Sequence, residues 1–317
     1  MTQLITQYFG HGITAVDTDY VRPRLDASHV IIRDGRAAFV DTGTTHSVPN
    51  LLAGLVSAGA LPEQVDYVFL THIHLDHAGG AGALMQHLPK AKLVVHPRGA
   101  GHMVDPTKLI EGTRAVYGEA EFKRLYGEIP GIPVERVVQA TDGMTLKLGK
   151  SELTFIHTPG HALHHYCIVD PDSDSVFTGD TFGISYQVFD TAKGPFIFPA
   201  TTPVHFDPAQ AHASLDRIMS HKPKQVFLTH YSRVGNPELL VKDMHAGIDA
   251  HARIAEGVSG SGEERRQKLR AGIHDWLVQQ VRAHGCTLDQ ATVDLWLGMD
   301  VDLNAKGLAV WLDRKKV

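Results

Sequence analysis

The clearest candidates for chemistry in this chain are the residues from His72 to His77, where the sequence reads His-Ile-His-Leu-Asp-His. Imidazole nitrogens and a carboxylate in such close company suit zinc, iron or manganese. The preceding residues 65–70 are β-branched, aromatic and mostly apolar, which indicates a buried strand. Because a rigid scaffold commonly presents its site at the end of such a strand, the pattern predicts a metal site rather than a histidine-rich surface loop.

Four further residues of ligand type follow predicted strands and lie in or beside turns. They are Asp41, His161, Asp180 and His230. Each signal is weak alone, because glycine beside aspartate is typical of any turn. Their order along the chain, and their company with the histidine cluster, make the set specific.

One short motif occurs twice, since Val-Phe-Leu-Thr-His at 68–72 recurs at 226–230. The repetition indicates two halves of similar design, each ending a strand with a histidine. Chance recurrence of a common strand pattern would look the same, and no fixed period marks a repeat array.

The elements that must position these residues follow from apolar patterning and turn signals. Strands are predicted at 29–33, 37–41, 92–96, 153–157 and 166–169, and helices at 48–58 and 105–127. Asp207 and Pro208 are typical of an N-cap and the first position of a helix. Beyond Pro237 the strand signals fade, and helices are predicted at 237–256, 263–284, 288–297 and 302–315.

Composition bounds the class of protein. The 317 residues are 43% hydrophobic and 21% charged, as in an ordinary globular protein. A net charge of -5 gives no support for nucleic-acid binding. Two cysteines indicate no disulfide framework, and we find neither a signal peptide nor a long apolar span. We therefore expect a cytoplasmic protein without a membrane partner, and a homo-oligomer is compatible with the sequence.

Together these motifs resemble those of the metallo-β-lactamase fold superfamily, in its glyoxalase II and lactonase-like branch rather than among the true β-lactamases. The resemblance covers roughly residues 20–235. It implies an α/β fold, a four-layer αββα sandwich with a metal site along one edge of its two mixed sheets. We accordingly expect a catalytic domain over residues 1–236 and a C-terminal helical extension, residues 237–317, packed on it.

The resemblance also implies a role for each motif residue. His72, His74 and His161 would hold one metal, while Asp76, His77 and His230 would hold the second. Asp180 would bridge the two metals, which makes Asp76 and Asp180 the predicted catalytic residues. Asp41 would orient ligands without binding metal itself.

Differences between this sequence and known branches of the superfamily exclude or weaken several of those branches. The best-known antibiotic-hydrolysing class usually lacks histidine at position 77 and places a cysteine ligand near Asp180, while another lactamase class is disfavoured only by the missing signal peptide. Flavodiiron oxygen reductases carry glutamate at position 74. The nuclease branch inserts a large domain after the bridging aspartate, yet Asp180 and His230 are 50 residues apart (230 − 180). Gly183 stands where lactonases often have tyrosine, which weakens that assignment.

We expect a dinuclear metal-dependent hydrolase of an ester, thioester or lactone. Bound metal lowers the pKa of water from about 15.7 to about 7 and so supplies hydroxide at neutral pH. Two divalent ions are implied, zinc first, with iron or manganese as alternatives. Three alternative interpretations remain open: a phosphodiesterase, a mononuclear iron enzyme of the persulfide dioxygenase type, and a non-catalytic binding protein.

The substrate should be a small molecule, bound beside the metals. The segment from Gly183 to Phe206 lies between two predicted ligands and is rich in aromatic residues. It predicts a pocket lined by Tyr186, Phe196, Phe198 and His205. The alternative is a loop that only packs its aromatic side chains into the core.

Overall fold

The structure is a computed structural model that describes residues 4–202 and 204–315. Residues 1–3, on which the signal-peptide prediction partly rests, and residues 316–317 at the end of the predicted extension lie outside the described residues. No helix in the described ranges combines the length and the apolarity needed to cross a membrane.

The chain forms two compact units. The first comprises the described residues up to His157, together with His164–Gly179 and Pro223–Arg233. The second comprises Thr158–Leu163, Asp180–Lys222 and the described residues from Val234 onward. Each unit therefore combines segments that are distant in sequence.

The first sheet has seven strands in sequential order. They are β1 (Thr6–Tyr8), β2 (Ile13–Asp17), β3 (Ala27–Arg33), β4 (Arg36–Val40), β5 (Val65–Phe69), β6 (Lys92–Val95) and β7 (Val137–Gln139). Neighbours from β1 to β4 are antiparallel, whereas β4 to β7 run parallel. The parallel part brings the carboxyl ends of β4 and β5 to one edge, directly before Asp41 and His72.

The second sheet has six strands in the order β13-β12-β11-β10-β9-β8. They are β8 (Thr145–Leu148), β9 (Ser151–His157), β10 (Tyr166–Asp170), β11 (Ser175–Gly179), β12 (Gln225–Leu228) and β13 (Ser232–Gly235). The neighbouring strands β11 and β12 are parallel, so both end on the same side, before Asp180 and His230. Both sheets are thus mixed, as predicted.

Aromatic side chains fill the space between the sheets. Phe69 packs edge-on against Phe155, and Phe177 stacks on Phe227, with all four rings buried. On its other face the first sheet buries residues of α1 (Val48–Ser57), α3 (Ala81–His87) and α4 (Pro97–Val104). Two sheets flanked by helices, with a helical C-terminal region, confirm the predicted αββα sandwich.

The remaining helices of the first unit carry the site or lie beside it. They are α2 (Leu75–Ala78), α5 (Thr107–Tyr117) and α6 (Glu119–Tyr126). The last two occupy the stretch predicted as one helix over 105–127. Gly118 separates them with a φ of 78°, a backbone conformation that glycine adopts readily.

The second unit is mainly helical. Its helices are α7 (Pro208–Ser220), α8 (Pro237–Glu256), α9 (Gly262–Ala283) and α10 (Gln290–Lys315). The predicted start of α7 is confirmed, because the Asp207 side chain accepts a hydrogen bond from the Gln210 amide at 2.9 Å.

The prediction of a break between residues 297 and 302 is wrong, because α10 is continuous. The polar residues there do not mark a loop. Asp300 accepts a hydrogen bond from the buried Tyr186 hydroxyl at 3.0 Å, and Asn304 accepts one from the Thr201 amide at 2.6 Å. Gly307 allows the close approach, since a Cβ there would lie 1.7 Å from the Thr201 carbonyl oxygen. Tertiary hydrogen bonds thus hold the helix through a polar stretch.

A buried histidine in the second unit gives a stability prediction. His251 on α8 is fully buried against Trp276, and neither ring nitrogen has a hydrogen-bond partner among the described residues. Burial lowers the pKa of His251 to about 3. Replacing it with leucine should stabilise the fold at pH 7 by about 1–3 kcal/mol, the usual cost of unsatisfied polar atoms.

The gain should grow in acid. Below pH 6.5, the ordinary pKa of histidine, His251 is protonated in the unfolded chain but stays neutral in the folded protein. The free energy of unfolding of the wild type therefore decreases as the pH is lowered from 6.5 to about 3. At pH 5 this adds about 2 kcal/mol to the advantage of His251→Leu. Urea unfolding at pH 7 and pH 5 measures both effects, with His87→Leu on the exposed end of α3 as control. Equal pH dependence of wild type and His251→Leu would contradict the assignment.

Candidate metal centre

The loop after β5 presents His72 and His74. The His72 Nε2 atom lies 2.9 Å from Nδ1 of His74, so these two nitrogens face the same point. The Thr71 hydroxyl lies 3.2 Å from the other nitrogen of His72, and the His165 ring stacks on His72 at a centroid distance of 4.9 Å. His72 is fully buried. Its ring orientation is fixed by Thr71 on one side and by His165 on the other.

A second group of donors forms around the short helix α2. The Oδ2 atom of Asp76 lies 3.7 Å from Nε2 of His77 and 3.5 Å from Nε2 of His230. The donor atoms of these three residues lie within 4.8 Å of one another. Both histidines are buried, whereas the Asp76 side chain is 24% exposed. The group therefore has one accessible side, at its carboxylate.

Asp41 holds this arrangement in place. Its buried carboxylate accepts hydrogen bonds from the Thr71 amide at 2.8 Å, from His77 Nδ1 at 3.0 Å and from the Thr229 hydroxyl at 2.8 Å. With Nδ1–H committed to Asp41, His77 presents Nε2 to the ligand group. Asp41 itself has a left-handed φ of 57°, a conformation that aspartate tolerates better than most residues.

The repeated Val-Phe-Leu-Thr-His motif has its explanation here. The threonine of each copy, Thr71 after β5 and Thr229 after β12, donates its hydroxyl to the Asp41 carboxylate at 2.8 Å. The histidine of each copy follows directly as a ligand candidate. Backbone hydrogen bonds from Tyr166 to Thr71 and from Ala27 to Thr229, both 2.9 Å, join the two sheets beside these residues.

The helix α2 is docked on the loop after Asp41. The carbonyl of His77 accepts hydrogen bonds from the Thr42 amide at 2.7 Å and its hydroxyl at 2.8 Å. Gly80 lies so close to this loop that a Cβ there would be 2.6 Å from the Thr44 carbonyl oxygen. Glycine after the motif therefore permits the close packing that fixes Asp76 and His77.

Backbone carbonyls set the tautomers of two further histidines. His230 donates from Nδ1 to the Leu25 carbonyl at 3.0 Å, which leaves Nε2 for Asp76 and a metal. In the second unit, His161 Nδ1 lies 3.0 Å from the Ala200 carbonyl, and its Nε2 lies 3.5 Å from Oδ2 of Asp180. Each ring is thereby held through the nitrogen that a metal would not use.

These donor groups fit a divalent transition metal. They combine imidazoles with carboxylates. All the rings are buried except that of His74, which is half-buried. The Nδ1 atoms of His77, His161 and His230 are hydrogen-bonded to groups outside the donor set. Imidazole and carboxylate are the ligands that zinc, iron and manganese share, so the donor set does not choose among these metals.

Sequence reasoning missed four contributors to the site: the Thr71 and Thr229 hydroxyls, the Leu25 carbonyl and the Asp26 carboxylate. The Thr71 and Thr229 hydroxyls could have been found from the repeated motif. Asp26, next to Leu25, is fully buried, and burial raises its pKa to about 8, while His230 and His77 oppose that rise. No sequence signal marks Asp26 or the Leu25 carbonyl, because both reach His230 only through the fold.

The predicted pocket residues lie in the second unit. Tyr186 and Phe198 are fully buried, and Tyr186 packs on Trp296 of α10 at a centroid distance of 5.3 Å. Phe196 is 6% exposed and lines a cleft of about 240 Å³ that also contains Trp276. His205 is half-buried. A substrate-binding role for these residues remains a prediction.

Comparison with known proteins now identifies the family. The model of the metallo-beta-lactamase superfamily matches residues 22–230, which is more than half of the chain. The chain belongs to the metallo-β-lactamase superfamily. Members of this superfamily are mostly metal-dependent hydrolases. The match spans all seven predicted ligands.

Individual relatives are distant. The chain is 27% identical over 269 residues to the metallo-beta-lactamase fold-containing protein ST1585 of Sulfurisphaera tokodaii, covering 83% of this chain and 94% of that protein. It is 29% identical over 223 residues to a hydroxyacylglutathione hydrolase of Citrobacter koseri, covering 66% and 71%.

Solved structures show the same fold. The crystal structure of ST1585 matches with a TM-score of 0.66 at 22% identity, covering 94% of this chain and 98% of that one. The metallo-beta-lactamase family protein TTHA1429 of Thermus thermophilus matches with a TM-score of 0.63 at 15% identity, covering 99% and 93%. At these identities the likeness concerns the fold alone.

Proposed function

We propose that this protein is a dinuclear metal-dependent hydrolase of an ester, thioester or lactone. The observation that carries the proposal is the group of Asp76, His77 and His230, whose donor atoms converge and whose ring orientations are fixed by Asp41 and Leu25. An oriented donor group with one accessible side suits a metal that must also meet a substrate.

The ligand assignment follows the family order. His72, His74 and His161 would hold one metal, Asp76, His77 and His230 the other, and Asp180 would bridge them. The family match across residues 22–230 supports this set, since it includes every one of these positions. Zinc is the first candidate, with iron or manganese as alternatives.

A bound divalent metal would supply a strong nucleophile at neutral pH and polarise the substrate carbonyl. The chain's own residues would do the rest. Asp76 is the most accessible member of its group, and its carboxylate can hold the proton released from the attacking water. His77 and His230, locked by hydrogen bonds, keep that carboxylate in position. No serine or cysteine nucleophile is required.

Substrate selection needs features beyond the ligands, because these are shared across the superfamily. Similarity to hydroxyacylglutathione hydrolases favours a thioester as the substrate of this protein. We further propose that the segment Gly183–Phe206 contributes to substrate choice, through Tyr186, Phe196, Phe198 and His205. The cleft lined by Phe196 supports this proposal for the segment.

One experiment tests the proposed function directly. Protein purified without added metal should contain two metal ions per chain, and it should hydrolyse members of an ester, thioester and lactone panel. A phosphodiester in the same panel tests the nearest rival among hydrolases. One iron per chain with oxygen uptake on a persulfide, and no hydrolysis, would instead establish a dioxygenase of the same motif.

A second comparison tests the pocket. Phe196→Ala should raise KM or reorder the preferred substrates while metal content stays at the wild-type value, because an apolar wall of the cleft is lost. Phe155→Ala, an aromatic truncation in the core of the other unit, controls for loss of stability. Wild-type kinetics of Phe196→Ala on every substrate would show that the segment only packs the core.

A further inference from the structure

Three tyrosines form a cluster in the first unit. Tyr20 precedes β3, Tyr117 ends α5 and Tyr126 ends α6. The hydroxyls of Tyr20 and Tyr126 lie 3.2 Å apart, and their rings stack at a centroid distance of 6.1 Å. The Tyr117 ring packs edge-on against the Tyr126 ring at a centroid distance of 5.9 Å, and the two side chains are hydrogen-bonded to each other. Tyr20 and Tyr126 are buried, whereas Tyr117 is half-buried and is the accessible member of this tyrosine cluster.

Hydrogen bonds connect the segments of the tyrosine cluster to the loops around the metal centre. Tyr20 belongs to the loop whose Leu25 carbonyl holds His230. At the end of α6, the Thr45 hydroxyl donates to the Glu128 carbonyl at 2.5 Å and to the Gly79 carbonyl at 3.2 Å. Gly79 directly follows α2, which carries Asp76. Two separate segments therefore connect the tyrosine cluster to the loops that carry the ligand group.

Electrostatics agrees with this placement. Burial is the main cause that raises the pKa of Tyr20 and Tyr117, and the charge of the Asp76 carboxylate is the second. The pKa of Tyr126 is raised by burial, by Tyr20 and then by Asp76. All three phenols therefore stay protonated at neutral pH and can donate a hydrogen bond.

The arginines on α5 and α6 are engaged, since Arg114 pairs with Glu119 at 3.0 Å and Arg124 with Glu121 at 2.6 Å. Neutral hydroxyls and ring faces suit an uncharged acyl group, whereas a phosphodiester is better recognised by free arginine or lysine.

We propose that the half-buried Tyr117 donates a hydrogen bond to the carbonyl oxygen of an uncharged acyl substrate, and that Tyr126 and Tyr20 position its hydroxyl. This inference rests on the proposed function and deepens it, since it selects carboxylic esters, thioesters and lactones over phosphodiesters. Tyr117 is then a catalytic residue in contact with substrate, while Tyr126 and Tyr20 are positioning residues that act through it.

The test compares Tyr117→Phe with wild type, both loaded with metal. The variant keeps the ring but loses the hydroxyl and its hydrogen bond to Tyr126, so metal content should be unchanged and Tm should fall only slightly. The kcat/KM for the best acyl substrate should fall by about 10²- to 10³-fold, the loss expected for one donor to a developing oxyanion. A non-hydrolysable ketone analogue should bind several-fold more weakly by calorimetry. Tyr8→Phe, on the exposed strand β1, is the matched control and should behave as wild type.

The positioning role has its own readout. Tyr126→Phe should lower kcat less than Tyr117→Phe does, and the double variant should match Tyr117→Phe alone, because Tyr126 acts only through Tyr117. Additive losses in the double variant would overturn the positioning role. If wild type is active and Tyr117→Phe retains both kcat/KM and ketone affinity, this inference fails while the proposed function stands. A wild type inactive on every acyl substrate overturns both.

Discussion

Asp180→Ala should abolish turnover, with kcat reduced at least about 10³-fold, while the protein remains folded. That magnitude is the upper range for removing one group that stabilises a transition state electrostatically. Asp180 is 5% exposed, and its Oδ2 lies 3.5 Å from Nε2 of His161. Under the proposed function it bridges two metals, so the alanine variant loses a ligand shared by both.

The turn itself should survive the substitution. Its backbone hydrogen bond, from the Gly183 amide to the Asp180 carbonyl at 3.0 Å, does not involve the side chain. Circular dichroism and thermal unfolding would verify the fold, and metal analysis would show fewer than two ions per chain. Asp216→Ala, which removes a largely exposed carboxylate on α7 of the same unit, serves as control. Near-wild-type hydrolysis by folded Asp180→Ala would exclude the bridging role.

Local patterning was sufficient for the strands that carry the site. Residues 65–70 are mostly apolar, β-branched or aromatic, as is typical of a buried strand, and the structure has β5 at Val65–Phe69. Asp207 followed by Pro208 is a helix start that depends only on neighbouring residues, and it is where α7 begins. Such features are encoded within a few positions, so a single sequence reveals them.

Contacts between distant segments were not accessible in this way. The Leu25 carbonyl that orients His230 is 205 positions away from it, and any carbonyl in the chain could have served. The continuity of α10 depends on Tyr186 bonding Asp300 over 114 positions. Residue type alone cannot predict such pairs, because they are products of the tertiary fold rather than of local preference. The repeated threonine is the exception, since its recurrence before both histidines was visible.

Asp41→Asn should weaken metal binding and lower activity by about 10- to 100-fold, the usual effect of losing a group that orients metal ligands. The carboxylate now accepts from His77 Nδ1 at 3.0 Å and from both threonine hydroxyls at 2.8 Å. An asparagine amide has only one accepting oxygen, so its NH₂ group must face at least one of these donors. The tautomer of His77 then loses its determinant, and Nε2 is no longer reserved for metal.

The substitution isolates this effect from backbone strain. Asparagine tolerates the left-handed φ of 57° as well as aspartate does, and it matches the aspartate side chain in size. Metal affinity measured by competition with a chelator, together with kcat/KM, should both fall, whereas Tm of the metal-free protein should change much less. Asp66→Asn provides the control, because Asp66 lies in β5 of the same sheet but pairs with Arg36. Unchanged metal affinity in Asp41→Asn would mean that His77 is oriented by packing rather than by this hydrogen bond.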